Sequence, residues 1–254
     1  MKTRQLAIAL LMIVCVSLQV SGDEWKSLFD GKTLNGWEGD EKLWSVQDGT
    51  ITGVTKDDEP LPYNKFLIAT GLGVVGDFHF KTSFRLEGNN NSGVQYRSAQ
   101  LKDAGEFVVG GYQADIHANP PYTAMLYDER GRGILAQRGQ KVVVAKDGKV
   151  TVVEQQKDVA AVDLSEWHTL EVIAVGAKIV HKLDGKVAIE ISDYDEKDRE
   201  LEGIIALQVH RGPAMKVQFK DMAIKVLDKK DENNGDVGAV PNWIWPEDAP
   251  AETT

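Results

Sequence analysis

The residues at positions 111–117 include side chains that could hold a polar substrate and move protons. Successive side chains of a β-strand face opposite ways, so Gln113, Asp115 and His117 would share one face of a strand here. The residues between them are apolar or aromatic and suit a core face. An amide, a carboxylate and an imidazole in a row could bind sugar hydroxyls and perform general acid–base chemistry.

Two more predicted strands repeat this pattern. Gln95 and Arg97 are spaced by two residues, and so are Gln208 and His210. If the three strands are neighbours in one sheet, their polar side chains line one concave face, which is a common place for a carbohydrate in jelly rolls. The alternative is an ordinary solvent face. Hydrogen-bonding and titratable residue types, in place of Lys, Glu and Thr, favour a site.

The acid count on the central strand limits the reaction type. A classical glycosidase needs two carboxylates flanking the scissile bond, whereas this strand offers only Asp115, with histidines nearby. Residues 127–130, which begin with Tyr127, could close the rim of a pocket, and solvated loop charge explains them equally well. No cofactor is indicated. No His-x-x-x-His pair is present, so a zinc site has no strong signal. Whether His and Asp on this face hold a divalent metal stays open.

Many short apolar or β-branched segments, separated by Gly, Asp and Asn, predict an all-β fold. Asp48-Gly49, Asp147-Gly148 and Asp184-Gly185 are typical of tight hairpin turns. No helical periodicity extends beyond a turn or two. We therefore predict a jelly-roll sandwich of two antiparallel sheets.

The 254-residue chain divides into three predicted segments. Residues 1–22 combine a basic start with a short apolar run and small residues, which indicates a signal peptide. Residues 23–227 form the jelly-roll domain, and residues 228–254 a polar tail. We expect export to the periplasm or the extracellular space. The only cysteine, Cys15, would leave with the signal peptide, so the mature fold has no disulfide.

Charge restricts the partners. The chain has a formal net charge of −10, and cleavage after residue 22 would remove two basic and no acidic residues. We therefore expect no nucleic acid and, after cleavage, no membrane among its partners. Neutral or sugar-like ligands fit this charge.

Several short motifs follow one another along the chain in a specific order. Residues 27–37 read Ser-Leu-Phe-Asp-Gly-Lys-Thr-Leu-Asn-Gly-Trp, and residues 91–97 read Asn-Ser-Gly-Val-Gln-Tyr-Arg. Further motifs lie at residues 44–49, 111–116, 166–168, 183–185, 203–210 and 217–222. Each motif alone is weak, but in their order and spacing they resemble the 3-keto-disaccharide hydrolase family, also described as 3-keto-glucoside 1,2-lyase/3-keto-2-hydroxyglucal hydratase domains.

The resemblance implies a concanavalin A-like jelly roll and a sugar oxidised at carbon 3 as substrate, a 3-keto-glycoside. The 3-ketone acidifies the hydrogen at carbon 2, so a base can remove it, the aglycone leaves from carbon 1, and water adds back. On this basis Asp115 or His210 is the expected base and Arg97 stabilises the enolate. The expected substrate-binding residues are Gln95, Gln113, His117, Tyr127 and Gln208.

This chain departs from the family at the central strand. Many family members carry Glu at the position of Gln113 and Gln at that of Asp115, so the carboxylate here lies two residues further along. The first interpretation is an exported hydrolase or lyase that acts on 3-keto-glycosides. One alternative is a non-catalytic carbohydrate-binding jelly roll that uses the same face, and another is a structural surface protein whose tail contacts a partner.

Overall fold

The computed structural model describes residues 24–227. The predicted signal peptide and the predicted tail lie outside the described residues. Within this range the regular structure is β-strand, apart from a short 3₁₀ helix at Lys102–Ala104. The strands are β1 (Lys26–Ser27), β2 (Trp44–Gln47), β3 (Thr50–Thr55), β4 (Lys65–Ile68), β5 (Phe78–Glu87), β6 (Asn91–Gln100), β7 (Val109–His117), β8 (Leu126–Glu129), β9 (Gly133–Ala136), β10 (Gln140–Val144), β11 (Val150–Gln155), β12 (His168–Val175), β13 (Lys178–Leu183), β14 (Lys186–Asp193), β15 (Ile204–Val209) and β16 (Met215–Val226).

The strands form two sheets that pack face to face. The large sheet has ten strands in the order β11-β10-β14-β13-β12-β5-β16-β3-β2, with β1 paired to β16. The small sheet has six strands in the order β4-β15-β6-β7-β8-β9. This confirms the predicted jelly-roll sandwich. The strand pairs are antiparallel except β10 and β14, which run parallel. The segment that contains β11, β12 and β13 provides the long connection that a parallel pair needs.

Asp-Gly pairs make two of the tight turns that were predicted. At Asp48-Gly49 the φ angles are 48° and 74°, and at Asp184-Gly185 they are 51° and 74°. Both residues of such a two-residue hairpin need positive φ, which Gly adopts without strain and Asp tolerates. These turns fix the registers of β2 with β3 and of β13 with β14.

The three strands with alternating polar residues are neighbours, as the sequence analysis required. β15, β6 and β7 lie side by side in the small sheet. Their apolar side chains, among them Val94, Tyr96, Ala114 and Leu207, are fully buried against the large sheet. Along β7 and over the parts of β6 and β15 that pair regularly, side chains alternate between the two faces, so the polar residues there face the opposite side of the small sheet.

One polar bridge crosses the apolar core between the sheets. His181 of β13 is fully buried, and its Nδ1 lies 3.1 Å from the carbonyl oxygen of Ala124. Nδ1 therefore donates, which leaves Nε2 to accept from the hydroxyl of Tyr96 of β6 at 2.8 Å. The large and small sheets are thus joined by a directed bond as well as by packing.

A charge cluster holds β8 in place. Arg132, just beyond β8, contacts Asp128 at 3.0 Å, Asp193 at 2.7 Å and Asp195 at 3.3 Å. The hydroxyl of Tyr112 donates to Asp193 at 2.6 Å. Multiple charge-assisted bonds of this kind fix a side chain and its backbone. They tie the β8–β9 turn to the end of β14.

The final strand of the described range lies in the middle of the large sheet. β16 pairs with β5 on one side and with β3 on the other, and β1 also pairs with it. Among residues 24–227, no helix has the length and hydropathy needed to cross a membrane.

Candidate active site

The polar face of the small sheet forms the floor of an open cavity of about 560 Å³. This volume suits a small ligand or one to two sugar units. Six residues predicted from the sequence line it, supplied by β7, β8 and the end of β15 with the residue that follows: Gln113, Asp115, His117, Tyr127, Gln208 and His210.

Gln95 lies directly behind this floor. Its side chain is fully buried, and its terminal amide contacts that of Gln113 at 3.1 Å. It is therefore placed to hold Gln113, not to touch a ligand, which corrects its predicted role in substrate binding.

Asp115 provides a buried carboxyl group at the floor. Its side chain is 3% exposed, and Oδ1 lies 2.9 Å from the amide of Gln113. Its backbone is fixed by bonds to Met125 and Ala124. Burial, with a smaller contribution from the charge of Glu129, raises the pKa of Asp115 from 3.8 to about 7. A carboxyl that titrates near neutrality can act as acid or base.

Two amides at the floor have hydrogen-bonding capacity that the protein leaves unused. Gln208 is fully buried, yet neither Nε2 nor Oε1 has a partner among the described residues, and Oδ1 of Asn91 is also unpaired. Both residues line the cavity. Leaving a buried polar atom unpaired costs about 1–3 kcal/mol, so such groups call for an explanation. Ligand hydroxyls in the cavity would supply the missing bonds.

The two cavity histidines have complementary tautomers. The backbone N–H of Asn119 donates to Nδ1 of His117 at 3.0 Å, so the ring proton of neutral His117 is on Nε2. Nδ1 of His210 instead contacts the carbonyl oxygen of Arg211 and must donate to it, which leaves Nε2 as an acceptor. Partial burial lowers the pKa of both histidines. One neutral ring thus offers a donor and the other a base.

Glu129 is a second acid in the cavity, which the sequence analysis placed only in a loop rim. Tyr127 pairs with Gln113 in the register of β7 and β8, and Glu129 follows on the same face two residues later. Burial raises the pKa of Glu129, and its Oε1 accepts from Asn64 at 3.3 Å. The period of two at residues 127 and 129 is a usable signal, but the predicted strand, residues 124–127, ends two residues before Glu129.

Arg97 does not reach the cavity, so its predicted role in stabilising an enolate is corrected. A bulge interrupts the pairing of β6 with β7 after Tyr96, and Arg97 has a positive φ of 45°. Its buried guanidinium donates to Asp77 at 2.9 Å and to the carbonyl oxygens of Gly76 and Gly176. The bulge reverses the alternation that would have put Arg97 beside Gln95.

Side chains that could bind a metal ion do not cluster in the described part of the chain. Among residues 24–227, no group of three or more His, Cys, Asp or Glu side chains is arranged to hold a metal ion.

One protein family matches this sequence, and solved structures share its fold. The 3-keto-alpha-glucoside-1,2-lyase-like domain family matches residues 24–225. A crystal structure of a candidate glycosyl hydrolase from Parabacteroides distasonis ATCC 8503 is 20% identical, with a TM-score of 0.54 over 80% of this chain and 94% of that one. A second from the same organism is 19% identical, with a TM-score of 0.53 over 81% and 100%.

At these identities the crystal structures are evidence for the fold alone, and no curated protein sequence matches the chain. The family match is of a different kind, because it spans most of the chain, including every strand that lines the cavity. The chain is a carbohydrate-active jelly-roll protein and belongs to the family of 3-keto-alpha-glucoside-1,2-lyase-like domains.

Proposed function

We propose that this protein is an enzyme that cleaves 3-keto-glycosides by removal of the carbon-2 proton, elimination of the aglycone and hydration. The observation that carries the proposal is one cavity that holds titratable groups next to unpaired amides. Asp115, Glu129 and His210 can exchange protons there, and Gln208 has both amide atoms free for a ligand. Family membership supports a keto sugar as the ligand.

The reaction needs only groups of this kind. A base takes the proton from carbon 2, and its electron pair forms the enolate of the 3-ketone. The pair then forms the carbon 1–carbon 2 double bond as the carbon 1–oxygen bond breaks, and the leaving oxygen takes a proton from an acid. Water adds across the double bond, with its hydroxyl to carbon 1 and its proton to carbon 2, which gives net hydrolysis.

The histidine tautomers suggest two of these roles. Nε2 of His210 has a free lone pair and can accept the carbon-2 proton, and Nε2–H of His117 can donate to a developing negative charge. Asp115 and Glu129 are the other candidates for the base and the acid. Gln113, Gln208 and Tyr127 are proposed to bind sugar hydroxyls. Export, inferred from residues 1–22, belongs to the same proposal.

Aglycone release from a chromogenic 3-keto-glucoside tests this function. We expect the purified protein to release the aglycone from the 3-keto-glucoside but not from the matched unoxidised glucoside. In D₂O the recovered sugar should carry deuterium at carbon 2. Glu129→Gln and His210→Asn remove the two candidate bases outside the floor, and loss of the true base should reduce kcat by about 10²–10⁴-fold.

Glu171→Gln is the matched control for Glu129→Gln. Glu171 is a partly buried glutamate on β12 of the large sheet, bonded to His79 at 2.8 Å, and its replacement should leave kcat unchanged. If the wild-type protein binds the 3-keto-glucoside but releases nothing, with chelator present and with divalent metals added, the enzyme proposal fails. A non-catalytic carbohydrate-binding role would then replace it.

A further inference from the structure

The buried carboxyl of Asp115 is in contact with an amide of the cavity floor, which in turn contacts an amide behind the floor. Gln95, Gln113 and Asp115 form a continuous chain, with contacts of 3.1 Å between the two amides and 2.9 Å between Gln113 and Asp115. The three side chains are no more than 3% exposed. At these distances two buried oxygens would repel each other, so each contact must pair a donor with an acceptor.

The neighbouring backbone determines which terminal atom of Gln95 is the nitrogen. One terminal atom of Gln95 lies 2.8 Å from the carbonyl oxygen of Tyr112 and 3.2 Å from that of Gly111. Backbone carbonyls only accept, and the nitrogen and oxygen of an amide are assigned from their partners, so this atom is the nitrogen. It also lies 2.8 Å from Oγ of Ser98, whose single proton goes to the carbonyl oxygen of Tyr96.

The orientation of the Gln95 amide in turn determines the orientation of the Gln113 amide. With its nitrogen directed at the backbone, Gln95 presents its oxygen to Gln113 at 3.1 Å. The facing atom of Gln113 must donate and is therefore its nitrogen. The remaining atom of Gln113, 2.9 Å from Oδ1 of Asp115, is consequently its oxygen. An amide oxygen has no proton to give.

We infer that Asp115 rests as a neutral carboxylic acid whose proton is bonded to the side-chain oxygen of Gln113. Gln95 and Gln113 are positioning residues that hold it in this form. An ionised Asp115 would leave two buried oxygens in contact somewhere along the chain, either between Asp115 and Gln113, between Gln113 and Gln95, or between Gln95 and the backbone carbonyls. With the proton present, every contact in the chain is satisfied.

Gly93 leaves the space in which the side chain of Gln113 reaches Asp115. Gly93 of β6 is opposite Asp115 in the register, and a Cβ at that position would lie 2.5 Å from Cδ of Gln113. The side chain of Gln113 therefore lies across the space over Gly93 to meet Asp115. No other residue type would leave that space open.

The other charged and titratable groups around Asp115 do not reverse this assignment. The carboxyl of Glu129 disfavours a second negative charge, and burial raises the pKa of Asp115. The groups that face the cavity with it are Tyr63 before β4, His117 on β7, Tyr127 and Glu129 on β8, Tyr122 in the loop before β8, Arg130 after it, and His210 and Arg211 after β15.

The consequence for catalysis rests on the proposed function, whereas the protonation state does not. A neutral Asp115 is not the resting base, which leaves His210 and Glu129 to take the carbon-2 proton. Its second oxygen can accept a bond from a sugar hydroxyl. Because Asp115 carries no charge, it also does not repel the enolate that forms above it.

Carboxyl carbon NMR of protein labelled at aspartate tests the inference without any substrate. The Asp115 signal is identified by its loss in Asp115→Asn. In the wild type we expect this carboxyl to be protonated at pH 6. In Gln95→Met, Gln113 is free to reverse and donate, so the titration midpoint of Asp115 should fall by at least about one pH unit.

Gln218→Met is the matched control, because Gln218 is a buried glutamine of β16 in the other sheet. It should leave the Asp115 midpoint unchanged. Gln113→Met gives a second test with opposite signs: the midpoint falls if Gln113 accepts from Asp115 and rises if it donates. An Asp115 already ionised at pH 6 in the wild type, or a midpoint that rises in Gln113→Met, would overturn the inference, whatever the outcome of the turnover assay.

Discussion

At the level of single residues, the buried carboxyl of Asp115 makes the folded protein less stable at neutral and higher pH. Asp115 is almost completely buried, and ionising it there is unfavourable. Its folded pKa of about 7 lies above the ordinary value of 3.8. The folded protein therefore holds this proton more tightly than the unfolded chain does, and stability falls as pH rises from about 4 to 7.

Asp115→Asn should accordingly stabilise the protein at high pH. Asn is close in shape to a neutral carboxyl and can donate to Gln113, but it does not ionise. We expect the free energy of unfolding at pH 8 to exceed that of the wild type by about 2–4 kcal/mol, with the difference vanishing near pH 4. Urea denaturation at both pH values measures it.

Asp58→Asn in an exposed loop is the control for this substitution. Its stability relative to the wild type should not change in the same manner between pH 4 and 8. If Asp115→Asn were equally stable as the wild type at pH 8, the carboxyl would not carry the burial penalty described above.

The residue types at the floor could be read from the sequence, but their surroundings could not. Period-two spacing identified Gln113, Asp115, Gln208 and His210 correctly as cavity residues. The unpaired state of Gln208 and the polarity of the amide chain depend on backbone carbonyls of neighbouring strands. No local pattern encodes those contacts, because they arise from the register between strands distant in sequence.

At the level of elements, β6 serves two ends of the sandwich. Before the bulge its polar side chains support the cavity floor, and after it Arg97 joins the loops at residues 76–77 and 176. The sequence predicted the strand but not the bulge, since an extra residue changes the facing without changing composition. The same reason explains the wrong prediction for Arg97.

Arg97→Ala should therefore destabilise the fold and leave the cavity chemistry intact. The substitution leaves Asp77 and two carbonyl oxygens without their buried donor, and we expect a loss of about 3–5 kcal/mol in the free energy of unfolding. In the fraction that remains folded, KM for a 3-keto-glucoside should be unchanged. Urea denaturation and steady-state kinetics at low temperature measure the two effects.

Arg85→Ala is a suitable comparison, because Arg85 on β5 is only partly buried and bonds Gln218 at 2.8 Å. Its loss should cost clearly less. Wild-type stability combined with lost turnover in Arg97→Ala would instead return Arg97 to the catalytic site.

At the level of the whole molecule, the buried His181 joins the two sheets through a titratable side chain. Burial lowers the pKa of His181 from 6.5 to about 4. The unfolded chain thus binds a proton that the folded protein excludes. The stability that this histidine contributes is complete above about pH 6.5 and is lost as pH falls toward 4.

Comparison with His181→Gln isolates this effect. The free energy of unfolding of the wild type relative to the variant should fall by about 3 kcal/mol between pH 7 and 4, as urea denaturation can show. His168→Gln is the control with the opposite sign. Partial burial lowers the pKa of His168, but bonds to Asp184 and Asp163 raise it overall, so its contribution is lost as pH rises. Equal pH profiles for wild type and His181→Gln would contradict the bridge.

The architecture was predictable from turns and alternation, and its strand order was not. Asp-Gly pairs and period-two segments sufficed for a jelly roll, because both signals are local. The parallel pairing of β10 with β14 and the insertion of β16 between β5 and β3 are long-range choices. They follow from packing over the whole core, which no single segment specifies.

The central place of β16 also determines when the protein can fold. β16 lies between β5 and β3 and pairs with both. Until residue 226 has been synthesised, the large sheet therefore remains in two parts with open edges. Contacts between segments this far apart in sequence form slowly. The large sheet therefore cannot form completely before residue 226 has been synthesised, and a chain that is still unfolded at that time can pass through a translocation channel, as the export proposed from residues 1–22 would require.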